Sequence, residues 1–254
     1  MGARDRIDEA PAAWGMTHVF QPIWDLRNGG LLGFEALARF ADDSPPDAVW
    51  RLAQAHGLAV SLDHASARGA IRGAAGLPGL LFINLCASTL AARDAGPRPP
   101  IRPALAHWGR DGRLVFEITE DTLPAPGEVA AHVRGLWRAG VPVALDDAGT
   151  GAATAERLAL LRPALGFVKL DRSVVGAWLA HRRGPLALWV SWAAETGVPC
   201  IAEGVEDPDA AWELVVAGVA YGQGFAFGAP ARAEGWTGSR LARVQPRPHV
   251  VYTG

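Results

Sequence analysis

The sequence predicts an α/β fold: one TIM-like (β/α)8 barrel that opens with an antiparallel first strand. Three observations predict it. Short apolar runs alternate with stretches of helical character, most of those runs stop abruptly at a polar residue, and no glycine-rich phosphate loop opens a helix. Apolar strands separated by helices indicate parallel β-structure covered on both faces. A doubly wound open sheet shares the alternation and also binds ligands at strand ends, but without the glycine-rich loop the barrel is the better account.

The elements follow in order. Residues 18–26 and 31–40 flank Arg27-Asn28-Gly29-Gly30, a turn sequence that pairs them as a hairpin. Helices are expected over 47–56 and 62–73. Then Leu80-Leu81-Phe82-Ile83 runs into Asn84, Leu114-Val115-Phe116 into Glu117, and Val141-Pro142-Val143-Ala144-Leu145 into Asp146. Gly166-Phe167-Val168 runs into Lys169 with Asp171 close behind, and Val198-Pro199-Cys200-Ile201-Ala202 into Glu203. Helical stretches at 128–139, 153–161 and 208–217 lie between them. Residues 1–15 read as a loose leader, 16–238 as the barrel domain, and 239–254, rich in Arg and Pro, as a surface tail. The proline-rich 97–103 is a connection inside the domain.

Bulk composition limits what such a barrel does. Half of the 254 residues are apolar and 20% are charged, enough for one large core. A net charge of -2 gives no general attraction for a nucleic-acid polymer or an anionic membrane, so an anionic ligand needs local cations or metals. No apolar stretch reaches the roughly 18 residues of a membrane span, and 1–15 lack a signal peptide's apolar segment. Cys86 and Cys200 lie in apolar runs and read as buried free thiols, which implies a reducing, cytoplasmic setting.

All C-terminal strand ends of a barrel open onto one face, the face that carries barrel chemistry. Glu35, Asn84, Glu117, Asp146, Asp147 and Glu203 form an oxygen-rich set without His or Cys, which suits Mg2+ or Mn2+ better than Zn2+. So many carboxylates repel one another unless cations neutralise them. Two divalent ions about 3.5–4 Å apart, sharing a bridging carboxylate, would do so and would activate water for phosphoryl transfer. Singly, each position has a plainer use: Asp146 suits a helix cap and Glu203 an ordinary turn.

The ordered motifs resemble the EAL domain family of cyclic di-GMP phosphodiesterases. Gln21-Pro22-Ile23 and Phe34-Glu35-Ala36-Leu37-Ala38-Arg39 resemble its opening QPI and its EAL signature. Ile83-Asn84-Leu85, Phe116-Glu117-Ile118-Thr119-Glu120, Ala144-Leu145-Asp146-Asp147 with Gly149-Thr150-Gly151, and Val168-Lys169-Leu170-Asp171 follow in order. Ala202-Glu203-Gly204-Val205-Glu206 and Gln223-Gly224-Phe225 close a series that covers 19–230.

The resemblance implies hydrolysis of cyclic di-GMP to linear pGpG with two Mg2+ or Mn2+ ions, in a homodimer that uses the helix after the Asp146 loop. It implies Glu35, Asn84, Glu117 and Asp146 as ligands of the first ion. Asp146 would bridge to a second ion that Asp147 and Glu203 also approach. Lys169 would hold the attacking water, with its pKa depressed beside two cations, and Glu203 is the implied general base. Arg39, on the strand face of Glu35, would pair with a substrate phosphate, with Leu37 between them. Gln21, Asp171, Glu206 and Gln223 would line the site, with strand-end hydrogen bonding as the alternative for Asp171 and Glu206. Glu120 would tie down the loop that carries Asp147.

The sequence departs from the family at that loop, where Ala148 and Ala152 replace two aromatics. Cys86 stands in place of a common serine, and 41–49 is short. Two functions follow: a metal-dependent phosphodiesterase, or a non-catalytic cyclic di-GMP receptor or scaffold for a regulatory protein. A barrel phosphoesterase with another substrate is a third. Trp178, Trp189 and Trp192 serve either as an apolar patch or as core.

Overall fold

The computed structural model describes residues 15–86, 89, 112–119, 126–150, 155–236 and 241. Expectations for 1–14, 97–103, Glu120, Ala152 and all but residue 241 of 239–254 lie outside the described residues.

Eight strands close into a barrel in sequence order. They are β1 (Met16–Asp25), β2 (Leu31–Phe40), β3 (Leu80–Asn84), β4 (Leu114–Thr119), β5 (Val143–Ala148), β6 (Leu165–Leu170), β7 (Cys200–Ala202) and β8 (Tyr221–Gln223). β1 runs antiparallel to both β2 and β8, while the other neighbours are parallel, as the hairpin sequence predicts. The turn after β1 is held by the Asp25 carboxylate, which accepts from the Arg27 backbone N–H at 2.9 Å and from the Asn28 amide at 3.2 Å. Gly29 supplies the left-handed φ of +67° that this turn needs.

The helices are α1 (Pro46–Ala55), α2 (Ala59–Gly73), α3 (Pro126–Arg138), α4 (Ala155–Leu161), α5 (Arg172–Leu179), α6 (Gly184–Thr196) and α7 (Ala210–Ala217). Pro46 starts α1, where a missing N–H costs nothing, and Asp171 caps α5 by accepting from the Ser173 N–H at 2.8 Å. The sequence predicts neither β8, only three residues long, nor the helices α5 and α6. In α6 the apolar residues fall on several faces and only Leu186 is buried, so no helical stripe marks it. Trp178, Trp189 and Trp192 are partly buried and pack against the main core, the second of their two expected uses. Cys200 is buried and Cys86 only half-buried; both are free thiols. Among the described residues no helix is long and apolar enough to cross a membrane.

Two apolar layers form the core. The larger lies between strands and helices. The smaller fills the barrel with Ile23, Phe82, Val115, Ala144, Phe167 and Ile201. Phe82 and Phe167 meet edge to face at 5.2 Å. Fully burying side chains of this size contributes about 1.5–3 kcal/mol each. This plug closes the barrel below the site and sets its register.

Candidate active site at the strand ends

Side chains on one face of a strand recur every second residue. Two positions beyond the apolar plug, each strand therefore presents its next inward side chain. From Phe82, Val115, Ala144, Phe167 and Ile201 this gives Asn84, Glu117, Asp146, Lys169 and Glu203. β1 runs the other way, so Ile23 leads to Gln21, and Tyr221 of β8 leads to Gln223. Glu35 enters from β2, opposite Gln21 on one side and Phe82 on the other. One polar tier thus stands directly on one apolar tier.

Lys169 is at its centre. Its Nζ lies 2.7 Å from Glu203 Oε1, 3.0 Å from Glu117 Oε1, 3.0 Å from Asp146 Oδ1 and 3.3 Å from Glu35 Oε2. Its side chain is only 1% exposed. Glu35 also accepts from Asn84 Nδ2 at 2.9 Å and from Gln223 Nε2 at 2.6 Å. Gln223 in turn donates to Gln21 Oε1 at 3.2 Å, and Gln21 donates to the Gly228 carbonyl.

Four acids around one ammonium leave an excess of negative charge. Burial alone would lower the Lys169 pKa, but the acids, Asp146 and Glu117 foremost, outweigh it and hold the ammonium well above the ordinary lysine range. Burial, followed by repulsion from Glu35, pushes Glu117 well above the usual carboxylate range. Burial likewise raises Glu203 to about 8 against the pull of Lys169. Glu35 is lowered: burial would raise it, and Lys169, Gln223 and Asn84 together overcome that.

The donor set fits hard divalent cations. Both oxygens of Glu117 and Oδ1 of Asp146 are buried, and the Lys169 Nζ that lies 3.0 Å from Glu117 Oε1 and from Asp146 Oδ1 is shared among four acids. Ligand oxygens of Asp146, Asp147 and Glu203 lie within 4.8 Å of one another. One ammonium does not balance four buried acids, which are costly unless further cations meet them, and an all-oxygen set with one amide suits Mg2+ or Mn2+. Asp147 takes a left-handed φ of +56°, a costly conformation for a non-glycine residue, which turns it out of strand register. Gly149, at φ +101°, packs so closely on Val174 that a Cβ would come within 2.4 Å of its Cγ2.

Above the tier opens a cleft of about 370 Å3 whose walls include Gln21, Glu35, Asp147, Asp171, Glu203, Glu206 and Gln223. Asn84, Glu117 and Asp146 join this group through Glu35 and Lys169. Asp171 serves both of its expected uses, capping α5 and lining the cleft. Leu37 and Arg39 are not brought to it. Arg39 is exposed near the end of β2, opposite Thr17, and donates to the Ala38 carbonyl. Asp146 faces Lys169, and the start of the helix it was expected to cap, after Gly151, lies outside the described residues. The sequence reading missed Arg172 and Phe225 in the cleft wall. Arg172 follows Asp171 directly and Phe225 closes the motif Gln223-Gly224-Phe225, so adjacency to site residues was the available signal.

The EAL domain family model matches residues 4–230. An uncharacterized protein of Azorhizobium caulinodans is 32% identical over 246 residues, covering 90% of this chain and 33% of its own. The cyclic di-GMP phosphodiesterase PdeL of Escherichia coli is 29% identical over 226 residues, covering 83% of this chain and 61% of its own. The chain thus spans a third of the first relative and under two thirds of the second. The solved PaMucR phosphodiesterase in complex with c-di-GMP superposes with a TM-score of 0.75 at 27% identity, covering 88% of this chain and all of that one.

Proposed function

This chain belongs to the EAL domain family, and from that premise we propose that it hydrolyses cyclic di-GMP to linear pGpG in a metal-dependent reaction. The observation that carries the reading is the polar tier itself: four carboxylates, one lysine and three amides converge at the barrel mouth, so that one ammonium faces four acids. Glu35, Asn84, Glu117 and Asp146 would hold one Mg2+ or Mn2+ ion, and Asp146, Asp147 and Glu203 a second. Such a pair supplies Lewis acidity, lowering the pKa of water and neutralising phosphoryl oxygens.

The chain's own residues do the rest. Lys169, fixed by its carboxylates, donates a hydrogen bond to the attacking water and orients it. Glu203, next to the Lys169 Nζ and at the cleft wall, takes the proton that the water loses. Gln21 and Gln223 hold Glu35 in place, while the apolar plug excludes water from below. Asp171, Glu206 and Arg172 offer polar contacts to a bound dinucleotide, with the arginine suited to its phosphates.

Full-length protein with Mg2+ or Mn2+ and cyclic di-GMP, analysed by chromatography, tests this. Formation of pGpG that EDTA abolishes is expected, and Glu35→Ala is expected to lose at least about 100-fold in rate, as a direct ligand outranks its supporting shell. One observation favours a second reading, binding without hydrolysis. Ala148 is fully buried where the family pattern has an aromatic, so the loop that carries Asp147 has less anchoring area. Tight cyclic di-GMP binding with no pGpG formed would establish that reading and sink the first.

A further inference from the structure

A second buried carboxylate lies outside the cleft, in the helix layer. Asp63 of α2 has no exposed surface, and it accepts three hydrogen bonds from two separate segments. Trp50 Nε1 of α1 donates to Oδ1 at 2.7 Å. The Cys86 backbone N–H donates to Oδ2 at 2.9 Å, and the Thr89 hydroxyl donates to the same oxygen.

Two of these donors belong to the segment that leaves β3 just after Asn84. That segment is tied at several points. The Leu85 N–H pairs with the Glu117 carbonyl at 2.9 Å, and the Thr89 N–H with the Cys86 carbonyl at 2.9 Å. Asn84 itself reaches Glu35. The Cys86 N–H and the Thr89 hydroxyl therefore both point at one carboxylate oxygen. A buried charge is costly, and an apolar side chain would fill the same space without that cost. What a carboxylate adds is direction: charge-assisted hydrogen bonds fix where the turn's N–H and O–H groups stand.

We infer that Asp63 is a positioning residue, which sets the turn after β3 and so aims the Asn84 side chain at the metal cluster. The inference rests on the metal-dependent reading above. Asp63 works through Asn84 and touches no substrate. Trp50, which also packs edge to face on Phe40 at 6.0 Å, is the outer brace: it holds Oδ1 and leaves Oδ2 to the turn.

The test compares Asp63→Asn with Trp50→Phe in the full chain, reading Mn2+ affinity by titration calorimetry and unfolding temperature by scanning calorimetry. Both variants are expected to unfold at lower temperature. Asp63→Asn is expected to weaken Mn2+ binding about tenfold or more, the usual range for groups that orient a ligand. Trp50→Phe keeps both turn donors on Oδ2 and is expected to stay within about twofold of wild type, on the same scale. If Asp63→Asn does not fold, Thr89→Val removes one turn donor, keeps the Trp50 bond, and is expected to weaken Mn2+ binding more than Trp50→Phe does. Wild-type Mn2+ affinity in a folded Asp63→Asn, or affinity losses that merely track the fall in unfolding temperature across the variants, would overturn the inference alone. Absence of Mn2+ binding by the wild-type protein would overturn the inference together with the reading beneath it.

Discussion

Glu117 and Asp63 are both carboxylates closed off from water, at 1% and 0% exposure, yet their surroundings differ in kind. Asp63 has three neutral donors spread over its two oxygens. Glu117 has no neutral donor on either oxygen among the described residues and shares one ammonium with three other acids. Burial pushes both groups above the ordinary carboxylate range, and only at Asp63 do hydrogen bonds from neutral donors oppose it. The contrast separates two uses of buried charge: an acid met by donors organises structure, whereas an acid lacking them leaves a place for a cation.

The largest expected effect removes the cation that the polar tier does have. Lys169→Met should cost at least about 100-fold in hydrolysis. In EDTA it should also destabilise the fold by about 3–5 kcal/mol, the range for a buried charge cluster stripped of its partner. Added Mn2+ should restore part of that stability, because a ligand that binds only the folded state raises it. Chemical denaturation with and without Mn2+ measures both quantities. Equal stability of variant and wild type in EDTA would mean that the four acids are not held by Lys169, and the contrast with Asp63 would collapse.

A smaller effect compares the two acids through one chemical change. Glu117→Gln should keep or raise metal-free stability, since it removes an acid crowded by Glu35, Asp146 and Glu203. Asp63→Asn should lower stability by about 1–3 kcal/mol, because the amide's NH2 must face a donor wherever it turns. Denaturation of both variants in EDTA at one pH gives the comparison directly. Losses of equal size would show that the two sites differ less than their hydrogen bonds indicate.

The polar tier was legible in the sequence because it obeys a simple count. Toward its C-terminal end each parallel strand from β3 to β7 carries an apolar residue, one outward residue, then a polar one in or just after the strand, and the ordered motifs repeat that spacing from Phe82-Ile83-Asn84 to Ile201-Ala202-Glu203. The amide pair Gln21 and Gln223 was also named, although β8 was not. The rest was hidden for reasons of distance and orientation. Trp50 and Asp63 lie on different helices and meet the turn after β3 only in three dimensions, with no period or motif to link them. Arg39 shares its strand face with Glu35, but it stands four residues further along β2, at roughly 3.4 Å each, and is not among the residues of the cleft wall. Same-face logic supplied its direction and not its reach.

The smallest effect tests the helix that carries Asp63 at its other polar joint. His18 of β1 meets the Ser66 hydroxyl of α2 at 3.1 Å, one turn beyond Asp63. Burial lowers the His18 pKa from 6.5 to about 4, so the folded state holds the ring neutral. Its contribution is therefore present above pH 6.5 and is lost as pH falls toward 4, because the unfolded chain takes up the proton first. At pH 5.5 the loss amounts to about 1 kcal/mol. His18→Gln keeps a side-chain amide for Ser66 and does not titrate, so its stability should fall less than wild type between pH 7 and 5.5. The acid groups of the polar tier are common to both proteins and cancel in the difference. An identical pH slope in the two proteins would show that the joint at Ser66 does not sense protons, leaving Asp63 as the polar joint of α2 with a measurable consequence.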